Sequence, residues 1–257
     1  MNIIYAFLLT LFAGLATGLG GLIAFSKLAK SAKFFAASLG FSAGVMLYVS
    51  FIEIIPKGLI ALNDNFSSGI SEWIAIGGFF FGIFFILIID QLIPKAQNPH
   101  EIKEPHHHAA LMRMGLFSAF AIALHNFPEG LATFYASLQD PRLGIGIAVA
   151  IALHNIPEGI AVALPIFQAT NNRKKAFFYA LISGLAEPVG ALIGFIIFST
   201  FLPTAIFGII FPFVAGIMVY ISLDELLPTS EKYGHHHLSM FGLIAGMLMM
   251  ALSLLII

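Results

Sequence analysis

Cysteine is absent from this chain, which removes disulfides, thiolate metal sites and thiol nucleophiles and leaves the redox compartment open. Charge is scarce: Asp, Glu, Lys and Arg make up 10% of the residues, against roughly 25% in a soluble domain. With 59% hydrophobic side chains among 257 residues, polar groups could not cover a globular surface, so the solvent of this protein is lipid. The formal net charge of −1 supplies no basic face for nucleic acid. Basic residues are also missing before Lys27. A secretory signal opens on positive charge and has a shorter apolar core. The opening MNIIYAFLLTLFAGLATGLGGLIAF therefore reads as a retained first transmembrane helix. No seam between the apolar runs is long enough for a soluble domain. The runs also lack the alternation that barrel strands show over ~10 residues.

What is present is a series of long apolar runs. A spanning helix needs about 20 mostly apolar residues. Eight segments meet that need: about 3–25, 34–56, 72–93, 113–136, 143–168, 176–200, 205–228 and 238–257. The expectation is an all-α integral membrane protein, one transmembrane transporter domain over 1–257, with a His-bearing seam at 94–112. Lys and Arg are enriched on the cytoplasmic side of membrane proteins. The odd seams hold Lys27, Lys30 and Lys33; Lys95, Lys103 and Arg113; Arg173, Lys174 and Lys175; and Lys232. The even seams hold only Lys57 and Arg142. Both termini are thus expected outside.

The chain also repeats itself. AIALHNFPEGLA at 121–132 recurs as AIALHNIPEGIA at 150–161, in the fourth and fifth spans, which cross in opposite directions. Motif one lies about 12 residues past the cytoplasmic start of its span, and motif two about 11 past the outer start of its own. At 1.5 Å per residue both are ~17 Å deep, near the midplane of a ~30 Å core. SAGVMLYVSFIEIIP at 42–56 resembles VAGIMVYISLDELLP at 214–228, an offset of 172. LFAGLATGLGGLIA at 11–24 resembles LISGLAEPVGALIG at 181–194, an offset of 170. The third and eighth spans show no convincing match. The plan reads as three, two and three helices, the outer trios being inverted copies, and inverted repeats with a midplane site are a transporter signature.

Glu129, Glu158 and Glu187 all fall near midspan. Left unpaired, three such carboxylates would cost roughly 8–10 kcal/mol on insertion scales. No Lys or Arg is available at that depth, which leaves bound cations, protonation and water. In H-N-x-P-E, His and Glu stand at i and i+4, and Asn and Glu at i+1 and i+4, so all three share one helical face. Motif one offers His125, Asn126 and Glu129; motif two offers His154, Asn155 and Glu158. Imidazole, amide oxygen and carboxylate together suit divalent ions such as zinc, iron, cobalt or manganese. Two Glu residues, one per helix, could bridge two ions, with one ion completed by a His set and the other by an Asn set. Pro128, Pro157 and Pro188 each remove one helix hydrogen bond, which predicts kinked, interrupted helices whose freed carbonyls face water or ions. Met46 is a thioether near midspan that could join such a site, although buried Met more often fills space. Glu53 on the outer side and Asp90, Asp224 and Glu225 on the cytoplasmic side stand where a cation would pass, or where ordinary interfacial solvation would put them. His106–His108 and His235–His237 lie in cytoplasmic seams, and His-rich tracts bind metal.

HNFPEG, HNIPEG and GLAEPVG together resemble the ZIP family of divalent-metal transporters, and the resemblance extends over the whole chain. It implies one metal position formed by His125, Glu129, His154 and Glu158, with Met46 close. It implies a second formed by Asn126, Glu129, Asn155, Glu158 and Glu187. It further implies zinc uptake into the cytosol, with iron, manganese, cobalt or cadmium as further cargo, in the bacterial inner membrane. An elevator-like motion of helices 1, 4, 5 and 6 against helices 2, 3, 7 and 8 is a family expectation. The metal would be cargo; no prosthetic group is expected. Small-residue faces such as GLATGLGG leave room for a homodimer. A metallo-enzyme is the competing class, but HExxH, with its paired His and catalytic Glu, is missing. A metal-sensing or structural membrane protein fits poorly with inverted repeats and short seams. The residues are compatible with proton coupling and with channel-like passage alike.

Overall fold

A computed structural model describes residues 3–27, 31–92, 108–139, 141–201, 205–232 and 235–256. All regular structure among them is helical. We label the rods α1 (Ile3–Ile23), α2 (Ala32–Val49, Ser50–Ile54 and Ile55–Asn63), α3 (Ser68–Leu92) and α4 (His108–Gln139). They continue as α5 (Pro141–Thr170), α6 (Arg173–Phe201), α7 (Ala205–Ile221, Ser222–Leu226 and Leu227–Lys232) and α8 (His236–Ile256). Their ends follow local chemistry. The Ser31 hydroxyl accepts from Phe34 N at 3.4 Å to cap α2. Asn172 Oδ1 accepts from Lys175 N at 3.0 Å to cap α6. Between α5 and α6 the chain reverses through Asn171 at φ 50°, a left-handed conformation that Asn tolerates.

Among the described residues, seven of these rods are long and apolar enough to cross a membrane. The remaining one, α4, is diluted by Arg113, His125, Asn126 and Glu129. Residue size sorts by environment as lipid requires. On α1 the large side chains Leu8, Phe12, Leu15, Leu19 and Leu22 are exposed, while Ala6, Ala13, Gly14, Thr17 and Gly21 are buried. Small residues let helices approach, and large ones face solvent that is itself apolar. α3 and α8 likewise expose Phe80, Phe81, Phe84 and Ile88, and Phe241, Ile244, Leu248 and Leu252.

Two sets of helices pack together. α1, α4, α5 and α6 lie against one another; α2 packs on α7 and α8, and α3 on α7. The sets meet where α2 and α8 touch α5 and where α4 touches α7.

Glycine–carbonyl contacts hold both sets. A Cβ on Gly159 would strike the carbonyl of Thr17, and one on Gly20 that of Ile156, which seats α1 on α5. At the matching places, Gly130 lies on the carbonyl of Glu187 and Gly190 on that of Phe127, which seats α4 on α6. Gly14 and Gly184 lie each against the other's carbonyl. The same recurrence relates α3 to α8. Gly82 meets the carbonyl of Phe213 and Gly246 that of Phe41; Gly216 meets Phe79 and Gly44 meets Leu243. The α3–α8 offset is 164, a correspondence the sequence alone does not reveal.

The interrupted helices expected at the prolines are corrected. Pro128, Pro157 and Pro188 lie inside continuous helices, because one lost hydrogen bond leaves the rest of each ladder in place. The irregular ladder is elsewhere. π-helical turns occupy Ser50–Ile54 in α2 and Ser222–Leu226 in α7, again 172 residues apart and each just before a proline.

Candidate metal centre

Asn126 and Glu129 of α4 face His154, Asn155 and Glu158 of α5, and Glu187 of α6 closes the third side. Asn126, His154, Asn155 and Glu187 are wholly buried, and Glu129 and Glu158 nearly so. His154 Nε2 on α5 lies 3.3 Å from Glu129 Oε1 on α4. Glu129 and Glu158 both lie close enough to His154 and to Glu187 to act on them electrostatically.

The two asparagines are oriented in the same way by different helices. Asn126 donates through Nδ2 to the carbonyl of Ser183 on α6 at 3.2 Å. Asn155 donates through Nδ2 to the carbonyl of Ala13 on α1 at 2.8 Å, and also to Glu187 Oε1. Ala13 and Ser183 are 170 residues apart, so the two anchors occupy corresponding places. A carbonyl accepts only from the NH2 side of an amide, so both Oδ1 atoms point away from their anchors. Neither Oδ1 has a hydrogen-bond partner among the described residues, nor does Glu187 Oε2. Buried acceptors without protein donors call for a cation, a proton or water to complement them. Among the described residues no three His, Cys, Asp or Glu side chains converge as a preformed metal cage. The His125 side chain lies outside the described set.

The glycines that close the two motifs bring this cluster together. Gly130 allows α4 to touch the backbone of Glu187 itself, which draws that carboxylate into reach of Glu129. Gly159 does the same for Thr17, the buried α1 counterpart of Glu187.

The family sequence model described as ZIP Zinc transporter matches residues 2–254. The chain is 55% identical to the zinc transporter ZupT of Lysinibacillus sphaericus, over 100% of this chain and 98% of the relative. It is 55% identical to ZupT of Streptococcus mutans, over 98% and 97% of the two chains. With ZupT of Chlorobium phaeovibrioides the identity is 56% over the full length of both. The chain belongs to the ZIP family. ZIP proteins are zinc transporters rather than enzymes, and this one is a multi-pass membrane protein.

Outside the central cluster, this ZIP chain places the other expected residues variously. Met46 and its counterpart 172 residues later, Met218, are both wholly buried in the hydrophobic core, and Met218 also lines a crevice with Glu129. That crevice, narrow and partly open, runs between α2, α4, α5 and α7 and has Glu53 and Lys57 on its wall. Glu53 Oε1 pairs with Lys57 Nζ at 2.7 Å. Asp90 on α3 and Asp224 on α7 both act electrostatically on Tyr220. The side chains of Glu225 and His108 lie outside the described set, as do His106 and His107. His235 precedes α8 and His236 and His237 open it; His236 Nδ1 lies 2.9 Å from Glu231 Oε1 on the surface. The sequence alone assigns Lys57 a part only in sidedness and gives Met218 none. The Glu-x-x-x-Lys spacing at the end of α2 was the available signal for the first, and the 172-residue repeat for the second.

Proposed function

We propose that this ZIP protein takes up zinc across the cytoplasmic membrane of a bacterium by alternating access through a two-ion site at the bilayer midplane. The observation that carries the reading is the pair of buried Asn126 and Asn155 Oδ1 atoms, held by corresponding backbone carbonyls beside three carboxylates. A divalent cation complements both the amide oxygens and the carboxylates of that arrangement at once. Zinc accepts imidazole and carboxylate together at tetrahedral sites. Iron, manganese, cobalt and cadmium fit the same donors and are the further cargo.

In this reading His125, Glu129, His154 and Glu158 take one ion. Asn126, Glu129, Asn155, Glu158 and Glu187 take the other, so that Glu129 and Glu158 bridge. Eight helices span the bilayer as three, two and three, with both termini outside. The recurrence of glycine–carbonyl contacts between α1–α5 and α4–α6, and between α2–α8 and α7–α3, supports that inverted plan. So do the matched π-turns. The two sets of helices would move against each other, and the few contacts between them, α2 and α8 on α5 and α4 on α7, are the sliding surface.

Zinc flux into proteoliposomes loaded with a zinc-sensitive dye tests the proposal. The expected result is saturable uptake that cadmium, iron, manganese and cobalt inhibit competitively. Uptake that never exceeds protein-free liposomes overturns it.

A further inference from the structure

The crevice that reaches Glu129 carries a feature that a cation path does not obviously want: a lysine. Of the residues on its wall, Glu53, Lys57 and Glu129 are the charged ones. Lys57 Nζ sits 2.7 Å from Glu53 Oε1, and both side chains are largely buried, at 20% and 16% exposure. Nζ has no further hydrogen-bond partner among the described residues, so this carboxylate is what holds it. Glu53 lies in the π-turn of α2 and Lys57 one turn later, which aims the pair along the crevice wall.

The inverted repeat sharpens the oddity. Glu53 corresponds to Glu225 in α7, but Lys57 corresponds to Thr229. The repeat therefore carries an acid at both places and a lysine at only one. Lys57 also runs against the Lys and Arg bias, being one of the two basic residues in the seams assigned to the outer side.

We propose that Lys57 is a specificity-determining residue for the transported ion: its ammonium is a tethered cation that occupies Glu53 at the outer mouth of the crevice and yields it to divalent ions in preference to monovalent ones. The inference rests on the transport reading and orientation given above. Its physics is a competition. At a given distance a divalent ion attracts the Glu53 carboxylate with twice the Coulomb energy of an ammonium group, whereas sodium or potassium offers no more charge than Lys57 already does. Lys57 gains a further advantage over a monovalent ion because it is attached, so its effective concentration at Glu53 is high. Zinc displaces it; sodium does not. Once displaced, the ammonium swings on its flexible stem, and the path to Glu129 carries net negative charge behind the ion.

The test uses zinc uptake by the full chain in proteoliposomes, with sodium exchanged for choline at constant ionic strength. Wild type and Lys57→Arg are expected to show a zinc KM that does not depend on sodium. Lys57→Met is expected to lower the zinc KM several-fold in choline and to make sodium a competitive inhibitor, with maximal flux per folded protein retained. A Lys57→Met KM equal to wild type and insensitive to sodium overturns the proposal.

A second measurement does not depend on flux. The chain has no native cysteine, so Ile54→Cys, on the crevice wall, is a single reporter thiol. In the Lys57→Met background a cationic methanethiosulfonate should label it at least about 10-fold faster than with Lys57 present, the range over which charged clefts concentrate counter-ions. A neutral reagent should label both equally. Ala132→Cys on α4 repeats the measurement from the facing wall should Ile54→Cys fail to fold. Equal cationic labelling with and without Lys57 overturns the gate, whereas absent wild-type flux with charge-dependent labelling overturns the transport reading alone.

Discussion

Glu158→Ala eliminates zinc accumulation. The loss should exceed the about 10–100-fold that removal of an outer-shell partner of a metal site typically causes. Glu158 acts on both His154 and Glu187 and stands in both proposed ion positions, so its removal leaves neither complete. Glu158→Gln separates charge from shape, since it keeps the side-chain volume in a wholly packed place. It should fold as wild type and fail to transport. Thermal unfolding in detergent gives a second readout. Zinc at 100 times its Kd should stabilise the wild-type protein by about 2.7 kcal/mol through mass action. The same zinc should leave the Glu158→Gln transition unmoved. Flux near the wild-type rate in either variant would remove Glu158 from the site.

The second large effect is expected at a residue that touches no ion. Gly159→Val places a branched side chain where even a Cβ strikes the Thr17 carbonyl. Overpacking of this kind costs about 1–3 kcal/mol, and more where backbone rather than a side chain must move. The displaced element is α1, whose Ala13 carbonyl orients Asn155, so the variant should lose zinc affinity as well as folded yield. Gly77→Ala is the control, because nothing lies within 4 Å of a Cβ there. It should gain about 0.5–1 kcal/mol from reduced backbone freedom in a helix. Equal melting temperatures for Gly159→Val and Gly77→Ala would show that the α1–α5 contact carries no load.

The sequence made the centre of this protein readable because an ion site on a helix must repeat at i, i+1 and i+4, and the chain writes that spacing twice. Glu187 was readable for a different reason: a carboxylate is conspicuous in an apolar run. The prolines suggest breaks that do not occur, because each removes one hydrogen bond and the many others of its helix remain. The kinship of α3 and α8 was hidden because it resides in backbone carbonyls. Gly78 and Gly82 correspond to Gly242 and Gly246, but the residues between them differ, and several of them, Phe80, Phe81 and Ile244, are exposed on the outer face of the bundle, where any large apolar side chain serves. Lys57 was read only as a marker of sidedness; its partner and its place on the crevice wall need coordinates.

The correspondence between Thr17 and Glu187 has one more result. A two-fold scaffold ordinarily holds an even number of charges, yet here one arm ends in a hydroxyl and the other in a carboxylate, giving an odd total of three with Glu129 and Glu158. Divalent ions add charge in steps of two. One ion leaves the cluster at −1 and two leave it at +1, so no number of zinc ions alone brings it to zero. In hydrocarbon a residual unit charge is costly, and a monovalent companion removes it. The smallest is a proton on one carboxylate. If the three carboxylates form the proposed site, parity of charge, rather than any single ligand, would call for a companion of one unit beside the metal, and zinc uptake measured across an imposed pH gradient tests whether that companion is a proton that travels with it.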